Sequence, residues 1–157
     1  MSDEILIINE KNLVGKHKAE NEPYEYVKYE ITPRDKFSQC YIAIYEIPPL
    51  KSNYPYHYHI ANTEAFFIIS GQGILKTPKG DRKISSGDII VCPPSELGAH
   101  KIINTSDYEF LKYIDFDTTN SPDVVYYPDS DKTGIIIHNK SNTFFKNINK
   151  TNYYEGE

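Results

Sequence analysis

The stretch that decides the fold is His57-Tyr58-His59-Ile60-Ala61-Asn62-Thr63-Glu64-Ala65-Phe66-Phe67-Ile68-Ile69-Ser70-Gly71-Gln72-Gly73-Ile74-Leu75-Lys76-Thr77. It contains two short apolar runs, 64–69 and 73–77, rich in β-branched and aromatic residues and too short for helices. Ser70-Gly71-Gln72-Gly73 lies between them and supplies the positive-φ positions of a hairpin. Period-two parity points Phe66 and Ile68 inward on the same face as Glu64, with Ala65 and Phe67 outward. In a strand, residues i and i+2 share a face, roughly 6.5 to 7 Å apart. His57 and His59 can therefore tilt onto one ion, and Glu64 can close a third side. Tyr56 and Tyr58 then point away.

The same texture extends outward in both directions. Runs at 24–31, 40–47, 88–92, 100–103 and 110–114 alternate or are continuously apolar. Turns at Pro78-Lys79-Gly80-Asp81 and Ser85-Ser86-Gly87-Asp88 separate them. Pro93-Pro94 ends a strand, because proline cannot donate to a ladder. No long stretch has helical periodicity with caps. Many short, evenly spaced strands predict an all-β sandwich or barrel. The expected layout is an N-terminal arm over 1–37 that adds a strand or two at the edge, a barrel over 38–117, and an extension over 118–157 that packs on the barrel, one domain overall. The extension holds a further strand candidate at 134–138.

Composition bounds the function. The chain has 157 residues, a size that buries a core without staples. Fourteen Tyr and seven Phe with no Trp lean towards pleated, half-buried surfaces. A net charge of −5 with no basic stripe argues against nucleic acid and against anionic membrane surfaces. Cys40 and Cys92 are separate, lie in apolar runs and read as small buried hydrophobes. The acidic start and the lack of a long apolar run predict a cytoplasmic protein.

A fourth candidate ligand, His100, opens a strand, with Asn104 four residues on. Alone, His57-x-His59 is weak. The ordered pattern His57-x-His59-x4-Glu64-x6-Gly71, then Gly87-x5-Pro93, then His100-x3-Asn104, is far more specific. It resembles the two motifs of the cupin superfamily, His-x-His-x3–4-Glu-x6-Gly and Gly-x5-Pro-x-Gly-x2-His-x3-Asn. The first matches in full. The second departs between Pro93 and His100, where this chain is two residues longer. Asn104-Thr-Ser-Asp107 and Tyr127-Pro-Asp-Ser-Asp-Lys132 also look like one branch of small single-domain bacterial cupins, and the resemblance spans about residues 40 to 132.

The resemblance implies a double-stranded β-helix (jelly-roll) barrel, a homodimer, and one divalent ion of iron, manganese, nickel, zinc or copper on His57, His59, Glu64 and His100. Three imidazoles and a carboxylate suit all of these ions. Four protein ligands on a six-coordinate ion leave two open positions for water, dioxygen or a chelating substrate. The expected function is an enzyme of oxygenase, isomerase or decarboxylase type acting on a small organic substrate. The alternative is a non-catalytic module that binds or senses a small molecule. Phe66, Ile68 and Ile102 are expected to wall the mouth of the site. His17 and His138 are expected to be ordinary surface or packing residues, and Asp129 and Lys132 to form a turn that holds the tail. Metal affinity is expected to fall as pH drops through roughly 6.5.

Overall fold

Inward-facing residues on two long strands, β3 (Cys40–Ile47) and β10 (Leu111–Thr118), form the spine of the molecule. They pair antiparallel along their whole length, from Leu111↔Ile47 to Thr118↔Cys40. The computed structural model describes residues 5–33 and 39–157. The expected 37/38 boundary lies outside the described residues, and the 117/118 boundary falls inside β10.

The spine extends into a six-stranded sheet. On one side lie β2 (Tyr24–Glu30) and β1 (Lys16–Asn21), and on the other β5 (Glu64–Ser70) and β8 (Ile89–Cys92), in the order β1-β2-β3-β10-β5-β8. Two smaller sheets complete the barrel. One is β7 (Arg82–Ser85), β6 (Gln72–Lys76) and β9 (Lys101–Asn104). The other is β13 (Thr143–Lys146), β12 (Lys132–Ile136), β11 (Asp123–Tyr127) and the two-residue β4 (Tyr58–His59). Among the described residues, the helical turns are all short 3₁₀ segments. None is long and apolar enough to cross a membrane.

The core is where alternation predicts it. Tyr41, Ala43, Tyr45 and Ile47 on β3 meet Phe66 and Ile68 on β5 and Leu111 and Tyr113 on β10. Leu75, Ile84 and Ile102 close it from the three-stranded sheet. Tyr45 and Tyr113 stack at 5.2 Å. Cys92 is a free thiol in this core, and burial pushes its pKa up to about 12. The hairpin at Gly71 has φ of +84°, and a Cβ there would lie 2.4 Å from the Phe110 carbonyl, so glycine is required twice over.

Asn104 pins the loop beneath the barrel. It is 1% exposed, its Nδ2 donates to the carbonyls of Ile47, Pro48 and Glu109, and its Oδ1 accepts from the Ser106 N–H. Four hydrogen bonds from one buried amide make it a structural residue, remote from chemistry.

The tail is woven into the barrel. β11 pairs with β12 and also with β4, where Val125 faces His59 and Tyr126 faces Tyr58. The Asp129 carboxylate takes the Lys76 Nζ at 2.8 Å, so the 127–132 turn is held by charge to β6.

Candidate metal centre

His57, His59, Glu64 and His100 come from three short stretches that the fold brings to one place. His57 and His100 form an isolated antiparallel bridge, with His57 N–H to His100 O at 3.2 Å and His100 N–H to His57 O at 2.9 Å. That reciprocal pair puts both rings on one face, with centroids 4.8 Å apart. His59 follows on β4, its ring 5.4 Å from that of His57. Glu64 opens β5 and projects into the group.

The longer loop before His100 is absorbed locally. Residues Glu96–Gly98 form a 3₁₀ turn, and the Ser95 N–H donates to the His59 carbonyl at 2.8 Å. Gly98 folds back so closely on Pro93 that a Cβ would sit 1.9 Å from the Pro93 carbonyl oxygen. Ser95 takes φ of 116° and ψ of 171°, a region populated almost only by glycine, so the backbone is strained beside the histidines.

The imidazoles share one polarity. His57 Nδ1 lies 2.8 Å from the Pro55 carbonyl, His100 Nδ1 lies 2.9 Å from the Gly98 carbonyl, and His59 Nδ1 lies 2.5 Å from Asp123 Oδ2. Each partner is an acceptor, so each Nδ1 carries the proton, and in the neutral ring each Nε2 offers a lone pair. The three Nε2 atoms converge on Glu64, at 3.5 Å from His57, 3.6 Å from His59 and 3.2 Å from His100. Ligand atoms of His57, His59 and Glu64 lie within 4.8 Å of one another. Three imidazole nitrogens and a carboxylate facing one point can close on a single cation. The donor set therefore fits a transition metal ion, with the outer hydrogen bonds that orient metal-bound histidines already in place.

Electrostatics follow from burial and pairing. Burial opposes protonation of His59, but Asp123 and Glu64 outweigh it and raise its pKa to about 10. Burial lowers the pKa of His100, with the neighbouring His57 acting in the same direction. Burial works to raise the pKa of Glu64, yet the His100, His57 and His59 rings hold it well below the ordinary carboxylate range.

The cluster opens into a cavity of about 740 Å³. Its wall contradicts one expectation: Phe66, Ile68 and Ile102 are core residues and do not line it. Parity placed Phe66 and Ile68 on the face of Glu64, but all three sit deeper in the barrel, and Phe66 packs on the His100 ring at 5.2 Å. Tyr41, Tyr54 and Tyr127 line the space instead, together with the carboxylates of Glu30, Asp115 and Asp117. Tyr127 stacks over His57 at 5.9 Å. His138, expected as an ordinary surface or packing residue, also lines the cavity, brought there by the β12–β13 connection. His17 sits away from the cavity on β1, 2.9 Å from Glu25.

Sequence reading missed Asp123. It is 2% exposed, takes His59 and Asn62 on one oxygen and the Ala61 and Val124 N–H groups on the other. Sixty-four residues separate it from His59 in the chain, and no local pattern marks it. The expected result of Asp123→Asn is a metal affinity lower by about 10- to 100-fold with the fold retained, measured by competition with a chelator of known affinity.

The barrel and the cluster together define a small all-β barrel with three histidines and a glutamate gathered at one place. Residues 43–115 match the Cupin_2 family model, described as a cupin domain. The fold is similar to that of a protein from Acidithiobacillus ferrooxidans presented as a candidate sugar phosphate isomerase. The TM-score is 0.81 at 23% identity, over 95% of this chain and 97% of that one. It is also similar to a cupin-superfamily sugar phosphate isomerase from Silicibacter pomeroyi, with a TM-score of 0.79 at 15% identity over 92% and 94% of the two chains. A predicted oxalate decarboxylase from Thermotoga maritima has a TM-score of 0.60 at 15% identity, over 73% of this chain and all of that one. At these identities the likeness establishes the fold. No curated protein matches the sequence.

Proposed function

We propose that this protein is a metalloenzyme that holds one divalent transition metal ion on His57, His59, Glu64 and His100 and acts on a small polyhydroxylated substrate. The observation that carries this reading is the convergence of three Nδ1-tethered imidazoles and Glu64 at the head of a cavity of about 740 Å³. That volume is in the range of small-molecule sites. When bound, the ion supplies a Lewis acid that polarises a coordinated substrate oxygen.

The protein's own groups do the rest. Pro55, Gly98 and Asp123 fix the ring orientations of the three histidines. The Glu30, Asp115 and Asp117 carboxylates on the cavity wall accept hydrogen bonds from ligand hydroxyls, and the tyrosine faces exclude water around carbon. An acceptor-rich wall suits a sugar-type ligand better than an oxidised aromatic one. Full-length likeness in fold to a candidate sugar phosphate isomerase and to a sugar phosphate isomerase supports that choice and favours isomerisation over oxygenation.

The test is metal analysis of the purified and reconstituted protein, followed by incubation with aldose and ketose phosphates monitored by NMR. About one equivalent of metal and metal-dependent interconversion are expected. Metal well below a tenth of an equivalent after reloading with iron, manganese, nickel, copper and zinc overturns the metal assignment. A loaded protein that binds these sugars without converting them is the sensing module instead.

The pH dependence has a definite sign. With its pKa raised to about 10, His59 is protonated across the neutral range, so the ion must displace a proton to bind. Apparent affinity is expected to rise about tenfold per pH unit from pH 7 towards 10, which moves the window upward from the 6.5 of an unperturbed imidazole. In the metal-free protein the His59–Asp123 pair stabilises fully below about 6.5, and this contribution is lost as pH rises through about 10. Titration of metal uptake at fixed ionic strength checks the slope, and a flat profile above pH 7 contradicts it.

A further inference from the structure

The cavity that holds the metal cluster has two chemically different ends. Its strand walls carry carboxylates: Asp115 and Asp117, both buried on the inward face of β10, and Glu30 on β2. Its mouth carries hydrogen-bond donors and a cation. The β12–β13 connection, residues 137–142, brings His138, Asn139, Lys140 and Asn142 to the lining, and the 118–120 segment brings Asn120. Asn120, Asn139, Lys140 and Asn142 are exposed and His138 is half-buried, so this end is the one that meets solvent. Lys140 is available there. The ion-paired lysines among the described residues are Lys18, Lys28, Lys51, Lys76 and Lys112, and Lys140 is not one of them. The other lysine that lines the cavity, Lys28, lies 3.6 Å from Glu30.

The mouth is tied to the cluster. The His138 N–H donates to Ser121 Oγ at 2.9 Å, which joins the β12–β13 connection to the segment after β10 while leaving the imidazole uncommitted. The Lys140 N–H closes a turn on the Ile137 carbonyl at 3.2 Å, with Asn139 in the left-handed region at φ of 58°. Asn120 donates its N–H to Asn62 Oδ1 at 2.6 Å and its Nδ2 to the Ala61 carbonyl at 2.8 Å. Asn62 in turn donates to Asp123 Oδ2, the oxygen that holds His59. A ligand gripped at the mouth is therefore registered against the histidines.

We propose that this mouth is an anion subsite that takes the phosphate of a small sugar phosphomonoester, with Lys140, His138 and the flanking asparagine amides as its donors. The inference rests on the metalloenzyme reading for what happens at the deep end, where the hydroxylated carbons meet the carboxylates and the metal ligands. Charge fixes the direction. A phosphomonoester carries about −1.5 to −2 charge near pH 7 and three strong acceptor oxygens. Placed deep, it faces Glu30, Asp115 and Asp117 and is repelled. Placed at the mouth, it meets an ammonium, an imidazole and amide N–H groups, which are charge-assisted partners. Sugar hydroxyls have the opposite preference, because they can donate to the carboxylates.

Heteronuclear NMR titration of the full chain, both as purified and after reloading with zinc, tests this with inorganic phosphate, fructose-6-phosphate and fructose as probes. Phosphate is expected to shift the amide signals of residues 137–142 and 118–120 in both samples. Fructose-6-phosphate is expected to bind at least about tenfold more tightly than fructose. Lys140→Glu, at an exposed turn position, is expected to abolish that preference with metal content and fructose binding unchanged, and Lys140→Arg to keep it. Phosphate shifts confined to His57, His59 and His100 place the anion on the ion and overturn the subsite. It is also overturned by equal binding of the two sugars, or by a preference that survives Lys140→Glu. A chain that takes up no metal but shows the shifts at 137–142 keeps the subsite and loses the metal assignment, so the two failures are distinguishable.

Discussion

His59→Ala is expected to empty the metal site and destabilise the protein at the same time. His59 contributes one Nε2 lone pair to the cluster and is also the link between Glu64 and Asp123. Its loss should lower metal affinity by far more than the ~10–100-fold typical of removing an outer hydrogen-bond partner. It also leaves the Asp123 carboxylate, side chain 1% exposed, without its cationic partner. Breaking a buried pair from one side costs about 3–5 kcal/mol. Asn62, Ala61 and Val124 still donate to Asp123, so the lower figure is expected. His59→Asn, which can still donate to Asp123, should recover stability without recovering the metal. His138→Ala should leave metal content unchanged, because His138 lines the cavity apart from the cluster. Equal metal loss from His59→Ala and His138→Ala in elemental analysis would show that the ligand assignment is wrong.

Gly98→Ala is expected to be the most disruptive single-methyl change in the loop. The added carbon would stand 1.9 Å from the Pro93 carbonyl oxygen and 3.0 Å from its carbon, both backbone atoms. Neither can swing away as a side-chain tip could, so the 93–100 loop must move. The expected cost is about 3 kcal/mol or more, which for a chain of this size lowers the thermal midpoint by roughly 6–12 °C. The movement also displaces the Gly98 carbonyl that orients His100, so metal affinity should fall with it. Gly80→Ala is the control. It has a positive φ of 101° but nothing within 4 Å of its Cβ, so it should cost only the modest strain of that conformation and leave metal affinity intact. Thermal unfolding and chelator competition on both variants separate the two effects. Similar behaviour of Gly98→Ala and Gly80→Ala would contradict the close packing of the loop.

The parts legible in the sequence are those governed by neighbours in the chain. The run 40–47 alternates because one face meets the core, and β3 has those bounds. The parity of 64–69 placed Phe66 and Ile68 inside and Phe67 outside, as found. Short or exposed strands were not legible. β1 has every residue exposed, β13 likewise, and β4 has two residues, so none carries an apolar period. β11 was hidden for another reason. Its pattern is too short to stand out, and it forms because β4 and β12 offer edges to pair with.

The candidate site divides along the same line. Residue types and spacing alone picked out His57, His59, Glu64 and His100, because i, i+2 parity and turn glycines are local constraints. Whether the lengthened loop still delivers His100 was decided by tertiary structure, through the bridge to His57 and the contact of Gly98 on Pro93. The same holds for Asp123 and Tyr127, on β11, which pairs with the distant β4, and for His138, in the connection that follows β12. Sequence by itself determined an all-β barrel and singled out four candidate ligands. Only the tertiary structure decided which nitrogen each ring presents and what walls the cavity. A ring's tautomer and a cavity's lining depend on hydrogen-bond acceptors and side chains contributed from elsewhere in the chain.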